Sequence, residues 1–392
     1  MGSEIVMKKA LIIGGSNGIG LAIGKYLTTQ NYNLIICDLK EPEEGIFPEG
    51  SYIFRHFNML DYDYALIDDL SKNADIEMLM ITAGIGRVAD LEYLHPGEIH
   101  NLITIDLDST LRILRAFYDR INSGSLFYCG VMGSIAGWIS SPMFSVYAAA
   151  KAGVCRFVES VNIELEVKGR KNRILNVSPG SIKGTRFNGA STTDLSLTEG
   201  LAEEIVGHLL SRDTLFIPQY DEIYKGVIER YQKDPHEYGI HSYKYKLSSG
   251  RAKNEKKARI GYLSGTFDLF HVGHLNLLRR AKEQCDYLIV GVHYGGAWKG
   301  KETFIPLDER KAIIAACKYV DQVVDAPDED DEAWNTYHYN MLFVGSDYKG
   351  TERFNRYEEE FKDKVKIVYF PYTKGTSSTQ IRAAIVAAAE KK

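Results

Sequence analysis

Two apolar runs, each turning through a glycine-bearing corner into a helical pattern, begin at Ala10 and at Ile260. The first reads ALIIGGSNGIGLAIGKYL and the second IGYLSGTFDLFHVGHLNLLRRAKE. A strand, a tight loop and a helix in that order open a doubly wound α/β sheet, so a chain with two such units has to accommodate two sheets. More strand-like runs follow the first corner (NLIICDL, IEMLMITAG, GSLFYCGV, NRILNVSPG) and the second (DYLIVGVH, QVVDAP, MLFVGSD, KIVYFP). Helical periodicity lies between them, notably in YAAAKAGVCRFVESVNIELE, LDERKAIIAACKYV and SSTQIRAAIVAAAEKK. At 392 residues the chain exceeds what one hydrophobic core organises. The expected class is therefore α/β, with two doubly wound parallel-sheet domains in tandem over residues 1–230 and 258–392. Residues 231–257 are polar, rich in Lys and Tyr and without apolar periodicity; they read as a linker whose tyrosines hint at packing on a domain. The two corners carry different residues, so two copies of one topology do not make an internal repeat.

A net charge of −5 offers no overall basic field, which removes the general electrostatic case for nucleic acid but leaves room for a local anion site. No apolar stretch approaches the ~20 residues that span a bilayer. The start, MGSEIVMKKA, has no signal-peptide core, and Val6 stands where myristoylation needs Ser or Thr. Cys37, Cys129, Cys155, Cys285 and Cys317 form no CxxC pair, and two of them sit in strand-like runs as small buried thiols would. Such an odd, unpatterned set fits a reducing compartment. The expectation is a cytoplasmic protein that binds neither nucleic acid nor membrane.

Gly14, Gly15, Ser16, Asn17, Gly18, Ile19 and Gly20 place glycines where a strand turns into a helix. Positions without side chains let backbone approach a pyrophosphate, whose charge meets the N–H groups of the helix N-terminus. Asp38 ends the next strand about 20 residues on, where a carboxylate accepts bonds from ribose hydroxyls. That carboxylate would repel a 2′-phosphate, so NAD(H) is favoured over NADP(H), with Lys40 nearby as the counter-indication.

Tyr147 and Lys151 stand four apart and share one helix face. A phenol with a pKa near ~10 is a poor base at neutral pH; a close ammonium and an oxidised nicotinamide would lower it. The phenol then serves as proton donor and acceptor for a carbonyl/alcohol pair, with Ser134 holding the substrate oxygen. With 25 tyrosines about two Tyr-x-x-x-Lys matches are expected by chance. The weight of this one lies in its place after the glycine loop.

Taken together, GGSNGIG, ITAG at 81–84, GSIAG at 133–137, YAAAK at 147–151 and SPG at 178–180 closely resemble the short-chain dehydrogenase/reductase family over the first ~230 residues. The resemblance implies a Rossmann fold and a Ser134–Tyr147–Lys151 catalytic set. It also implies cofactor contacts along the glycine loop and at Ala83 and Gly84, adenine contacts around Asn58 and Met59, and nicotinamide contacts near Pro179, Ser181, Ile182 and Thr185. There are departures: the usual NNAG reads ITAG, and Asp106 stands where an asparagine often completes the catalytic set. A cofactor-binding but inactive domain is the competing expectation.

In the second half, His271-Val-Gly-His274 opens a helix after Gly265-Thr-Phe-Asp-Leu-Phe. Histidines three apart at a helix N-terminus can face one anion, and Gly273 lets a phosphate approach the backbone. No further Cys, His or carboxylate lies at zinc-ligand spacing, so no protein-held metal is expected. Lys374 to Thr379, KGTSST, is a second phosphate-suited element. GTFDLFHVGH, LDERK, VGSDYKG and GTSSTQIR look like the glycerol-3-phosphate cytidylyltransferase family within the HxGH nucleotidyltransferases, from about Ala258 to Ile385. The resemblance implies that Thr266 and Phe267 hold the nucleotide, that His271 and His274 bind phosphates, and that Lys299 and Lys301 belong to a substrate loop. It further implies triphosphate or base contacts from Arg310, Ser377, Ser378 and Thr379, Asp347 near the ribose or base, and Mg²⁺ with CTP. Trp298, Trp334 and Tyr348 either stack on a base or fill the core.

The function expected is bifunctional: nicotinamide-dependent oxidation or reduction of a sugar or polyol phosphate, and CTP-dependent transfer giving a CDP-alditol of the CDP-glycerol or CDP-ribitol type for teichoic-acid-like or capsular polymers. The alternative is a cytidylyltransferase with a non-catalytic NAD-binding regulatory or oligomerising domain. Its partners would be small molecules, and a homo-oligomer follows by analogy with both families.

Overall fold

A computed structural model describes residues 8–185, 187, 194–252, 259–295, 303–371 and 380–382. Among the described residues, twelve strands divide between two sheets, and every strand pair is parallel. The first comprises β1 (Lys8–Ile13), β2 (Tyr32–Asp38), β3 (Tyr52–His56), β4 (Ile76–Ile81), β5 (Tyr128–Met132), β6 (Ile174–Val177) and β7 (Leu215–Phe216). Its order is β3-β2-β1-β4-β5-β6-β7. The second comprises β8 (Ile260–Gly265), β9 (Tyr287–Val292), β10 (Gln322–Asp325), β11 (Met341–Gly345) and β12 (Lys366–Phe370), in the order β10-β9-β8-β11-β12. The chain is thus α/β with two doubly wound parallel sheets. The order reverses between β1 and β4 and between β8 and β11, the places where such sheets open a crevice at their strands' carboxyl ends.

Parallel strands buried on both sides read as continuous apolar runs, because alternate residues serve opposite faces. In β1, Leu11 and Ile13 join one core with Ile35, Leu79, Cys129 and Val131, whereas Ala10 and Ile12 join another with Leu34, Ile36, Met78 and Met80. The second sheet repeats the device, with Leu263, Val290 and Phe343 on one face and Tyr262, Ile289 and Leu342 on the other. Cys37, Cys129, Cys155 and Cys285 are buried free thiols. No helix among the described residues is long and apolar enough to cross a membrane.

The chain separates into two compact units, residues 1–92 with 99–254, and 93–98 with 255–392. The stretch expected as a linker differs from that expectation: it holds the end of the helix Lys225–Lys233 and all of the helix Pro235–Ser248. Asp234 caps the latter by accepting from Glu237 N, and Pro235 occupies the first turn, where its missing N–H costs nothing. Polar bonds anchor it, Tyr243 Oη to Asp90 (3.2 Å) and Lys246 Nζ to Ser141 Oγ (2.7 Å), and none of its residues is fully buried, which is why apolar periodicity did not reveal it.

Candidate active sites

In the first unit, β1 hands over to the helix Gly18–Thr29 through the glycine loop. A Cβ on Gly14 (φ +91°) would lie 2.5 Å from Ala83 N, and one on Gly20 would lie 2.2 Å from Gly14 O, so both positions accept only hydrogen. Thr82 donates its hydroxyl toward Ile13 O (3.1 Å) and Gly14 O (3.0 Å), locking the loop to the end of β4. In this chain, then, the threonine of ITAG is the residue that fastens the loop. Among the described residues, a Cβ on Gly18 (φ +55°) would meet only Thr185 carbons, at 3.9 Å. Ser16 Oγ is a buried polar atom without a hydrogen-bond partner, and the Asn17 side chain makes no capping bond, so two polar groups beside the helix N-terminus are unspent. Those features fit a pyrophosphate. Asp38 accepts from Ser16 N (3.0 Å) and Leu39 N (2.7 Å). Phe57 N donates to Asp38 O (2.9 Å), which sets the Asn58–Met59 turn beside the same edge. There Asn58 Oδ1 accepts from Leu60 N, and Met59 O accepts from Ser109 Oγ.

Tyr147 and Lys151 lie on the helix Ser145–Val167, both buried, with the Lys151 ammonium 5.6 Å from the Tyr147 ring centre. Ser134, also buried, follows β5; its Oγ accepts from Ala136 N (3.2 Å) and reaches the Tyr147 hydroxyl. Ile135 N donates to Pro179 O (3.0 Å), joining this turn to the loop of Pro179, Ile182 and Thr185, where Thr185 Oγ1 donates to Ile182 O. The Lys151 ammonium is held by Met132 O (3.0 Å) and by the fully buried Asp106 carboxylate (3.1 Å). Asp106 comes from a π-helical turn, Thr104–Asp108, the kind of local widening that re-aims a side chain into a site. Burial works against the Lys151 ammonium, but Asp106 and Tyr147 overcome it and hold its pKa above the ordinary value. Burial lifts the Asp106 carboxyl, and Lys151 pulls it back. Lys151 lowers the Tyr147 phenol as expected, but in the protein alone burial, the larger effect, pushes it up and Asp106 adds to the rise.

Several neighbours gave no sequence signal. Phe144 stacks on Tyr147 with ring centres 4.2 Å apart. The Tyr224 hydroxyl lies where a Cβ on Gly180 would be, so that glycine is required. Arg251 Nη2 donates to Ser181 Oγ (3.2 Å).

In the second unit, β8 ends at Gly265, and Phe267 (φ +53°) and Leu269 (φ +49°) turn the chain into the helix Val272–Lys282. His271 caps that helix: its Nδ1 accepts from Gly273 N (3.0 Å), which leaves the proton of the neutral ring on Nε2. His271 and His274 stack with ring centres 4.0 Å apart. Burial, with His271 beside it, lowers the His274 pKa to about 4, and its buried Nδ1 has no hydrogen-bond partner. Two neutral imidazoles at a positive helix end are chemically suited to phosphate oxygens.

Asp268, absent from the sequence reading, is buried beside them and accepts from Phe304 N (3.1 Å), Ile305 N (3.0 Å) and Arg382 Nη2 (2.5 Å). An acid inside the apolar stretch TFDLF was its only trace. Arg310 is the residue expected to contact triphosphate or base. Buried to 1% exposure, it donates to four carbonyls: Ile305 O (2.9 Å), Thr266 O (2.6 Å), His293 O (2.8 Å) and Tyr294 O (2.7 Å). It thereby fixes the Thr266 loop. The Phe267 ring belongs to the core. Asp347, exposed, follows β11 across the reversal point from the histidines. Trp334 and Tyr348 pack with the second core, and Trp334 Nε1 donates to Tyr339 O (3.0 Å). Lys299, Lys301, Ser377, Ser378, Thr379 and Trp298 lie outside the described residues. No group of three or more His, Cys, Asp or Glu disposed to hold a metal occurs among the described residues.

Residues 8–196 match the short chain dehydrogenase family, and residues 262–384 match the cytidylyltransferase-like family. The second half is 35% identical over 125 residues to the glycerol-3-phosphate cytidylyltransferase of Bacillus subtilis (strain 168), covering 31% of this chain and 92% of that protein. The first half is 26% identical over 197 residues to an uncharacterized oxidoreductase of Saccharomyces cerevisiae, covering 45% of this chain and 61% of that one. A short-chain dehydrogenase/reductase of Burkholderia phymatum in complex with NAD shares the fold, at a TM-score of 0.50 and 15% identity over 58% of this chain and 93% of that one.

Proposed function

The chain belongs to the short-chain dehydrogenases through its first half and to the glycerol-3-phosphate cytidylyltransferases through its second, and from that premise we propose that its two activities act on one alcohol phosphate. The first domain interconverts a ketose phosphate and an alditol phosphate with NAD(H). The second joins the alditol phosphate to CTP, releasing pyrophosphate and giving a CDP-alditol, the activated form from which teichoic-acid-like or capsular polymers are assembled. The observation that carries this reading is that one polypeptide holds both the Ser134–Tyr147–Lys151 set and the stacked His271–His274 pair.

Asp38 favours NAD(H) over NADP(H), since a 2′-phosphate would meet its carboxylate. The nicotinamide, when bound, accepts or supplies the hydride. Tyr147 Oη gives a proton to the carbonyl oxygen in reduction and takes it back in oxidation. Ser134 Oγ orients that oxygen, and Lys151, fixed by Asp106 and Met132 O, keeps a positive charge beside the phenol. In the second domain an acceptor phosphate oxygen attacks the α-phosphorus of CTP and the bond to the β-phosphate oxygen breaks. The His271 Nε2–H group, with His274 beside it, meets the charge that builds there. Mg²⁺ would enter on the oxygens of the triphosphate, as is usual for that ion.

The Asp106–Lys151 pair favours a second reading, an NAD(H)-binding domain that regulates or oligomerises the transferase without chemistry, because the carboxylate opposes activation of Tyr147. A coupled assay separates them: NADH oxidation against a panel of C3–C7 ketose phosphates, followed by CTP-dependent pyrophosphate release from the product. Turnover of one compound through both steps supports the first reading; transfer with NADH bound but never oxidised supports the second.

A further inference from the structure

The helix Pro235–Ser248 and the residues after it fall beyond the stretch that matches the dehydrogenase family, 8–196, yet they reach the mouth of the oxidoreductase site. Lys246 Nζ donates to Ser141 Oγ and to Pro142 O, both at 2.7 Å, and stands 6.0 Å from the Phe144 ring centre. Phe144 in turn stacks on Tyr147, so this ammonium is one ring away from the proton-transferring phenol. Arg251 donates to Ser181 Oγ (3.2 Å) in the loop placed at the nicotinamide and stacks near Tyr245, 5.9 Å from its ring centre.

Lys246 is half-buried, and among the described residues no carboxylate pairs with it or with Arg251. Its two acceptors are neutral and use two of its three N–H donors. Burial, with Arg251 adding repulsion, pulls its pKa down to about 8. Two cations that repel each other, one of them partly desolvated, are arranged at a cost that an anion between them would offset.

We propose that Lys246 and Arg251 form an anion subsite of the oxidoreductase domain that takes the phosphate of a phosphorylated carbonyl substrate, a few carbons from the carbonyl held by Ser134 and Tyr147. The inference rests on the substrate class proposed above and gives it a physical basis in this domain's own residues. Bidentate guanidinium and ammonium contacts to phosphate are among the stronger charge-assisted hydrogen bonds.

The test compares dihydroxyacetone phosphate and ribulose 5-phosphate with dihydroxyacetone and ribulose, using the full chain, Lys246→Met and Arg251→Met, with NADH titration as the folding control. The ratio of kcat/KM for phosphorylated over unphosphorylated substrate is expected to fall about tenfold or more in each variant. An unchanged ratio, or equal loss toward both substrates, overturns the subsite. If the wild type reduces none of the four, the functional reading fails separately. Calorimetric titration of the NAD⁺-loaded protein with the same two phosphates then decides the subsite: binding weakened in Lys246→Met upholds it, and no binding to the wild type overturns it.

Discussion

The Lys151 ammonium stands 3.1 Å from the Asp106 carboxylate, and both side chains are sealed from solvent. Asp106 thereby neutralises much of the charge that would otherwise favour the Tyr147 phenolate. Asp106→Asn removes a charge that raises the Tyr147 pKa, so that pKa should fall. Alcohol oxidation needs the phenolate, and its rising limb in a kcat/KM profile against pH is expected to move to lower pH. The same variant leaves a buried ammonium without its counter-charge and should lower the Tm of the first domain.

Tyr147→Phe removes the proton donor but keeps the ring that stacks on Phe144. Oxidoreductase turnover is expected to drop about 10²–10⁴-fold. NADH affinity and cytidylyl transfer should stay within twofold or so, read by fluorescence titration and pyrophosphate release.

His274 carries a pKa lowered to about 4, so it is neutral in the folded protein at pH 5–8. A histidine with a depressed folded pKa contributes nothing above its unfolded value near ~6.5, and costs stability progressively as pH falls from there towards about 4. Wild type should therefore lose roughly 2 kcal/mol relative to His274→Gln across that window, once partial exposure is allowed for. Urea titrations at several pH values measure the difference. At pH 7 His274→Ala should slow transfer about 10²–10³-fold.

Arg310 is expected to behave as a structural residue. Arg310→Ala strands four carbonyls, one buried and three partly buried, at a cost of several kcal/mol, and Arg310→Lys should recover little because an ammonium cannot fan out over the same four oxygens. A large fall in Tm for both variants, with residual CTP affinity in whatever remains folded, is the outcome to look for. Unaltered Tm with lost CTP binding would return Arg310 to the triphosphate.

Both sheets were legible because parallel strands buried on two faces leave continuous apolar runs. The glycine corner, the paired-histidine corner and Asp38 stand where the runs placed them, after β1, after β8 and at the end of β2. Chain spacing could not reveal that burial outweighs Lys151 at Tyr147, since desolvation depends on what packs over the phenol. Nor could it reveal that Arg310 is consumed by carbonyls, since those belong to loops brought together only by the fold. The helix Pro235–Ser248 was hidden because its anchoring is polar: Tyr243 and Lys246 bind surface oxygens.

Asp38 also fastens the glycine loop, through Ser16 N and Leu39 N. Under the role proposed for Asp38, coenzyme choice and the shape of the loop are soldered into one side chain. An engineer wishing to swap the preferred dinucleotide would have to supply a substitute clasp for Ser16 N together with a home for the extra phosphate, and a lone exchange at this position would slacken the cradle before it changed its guest.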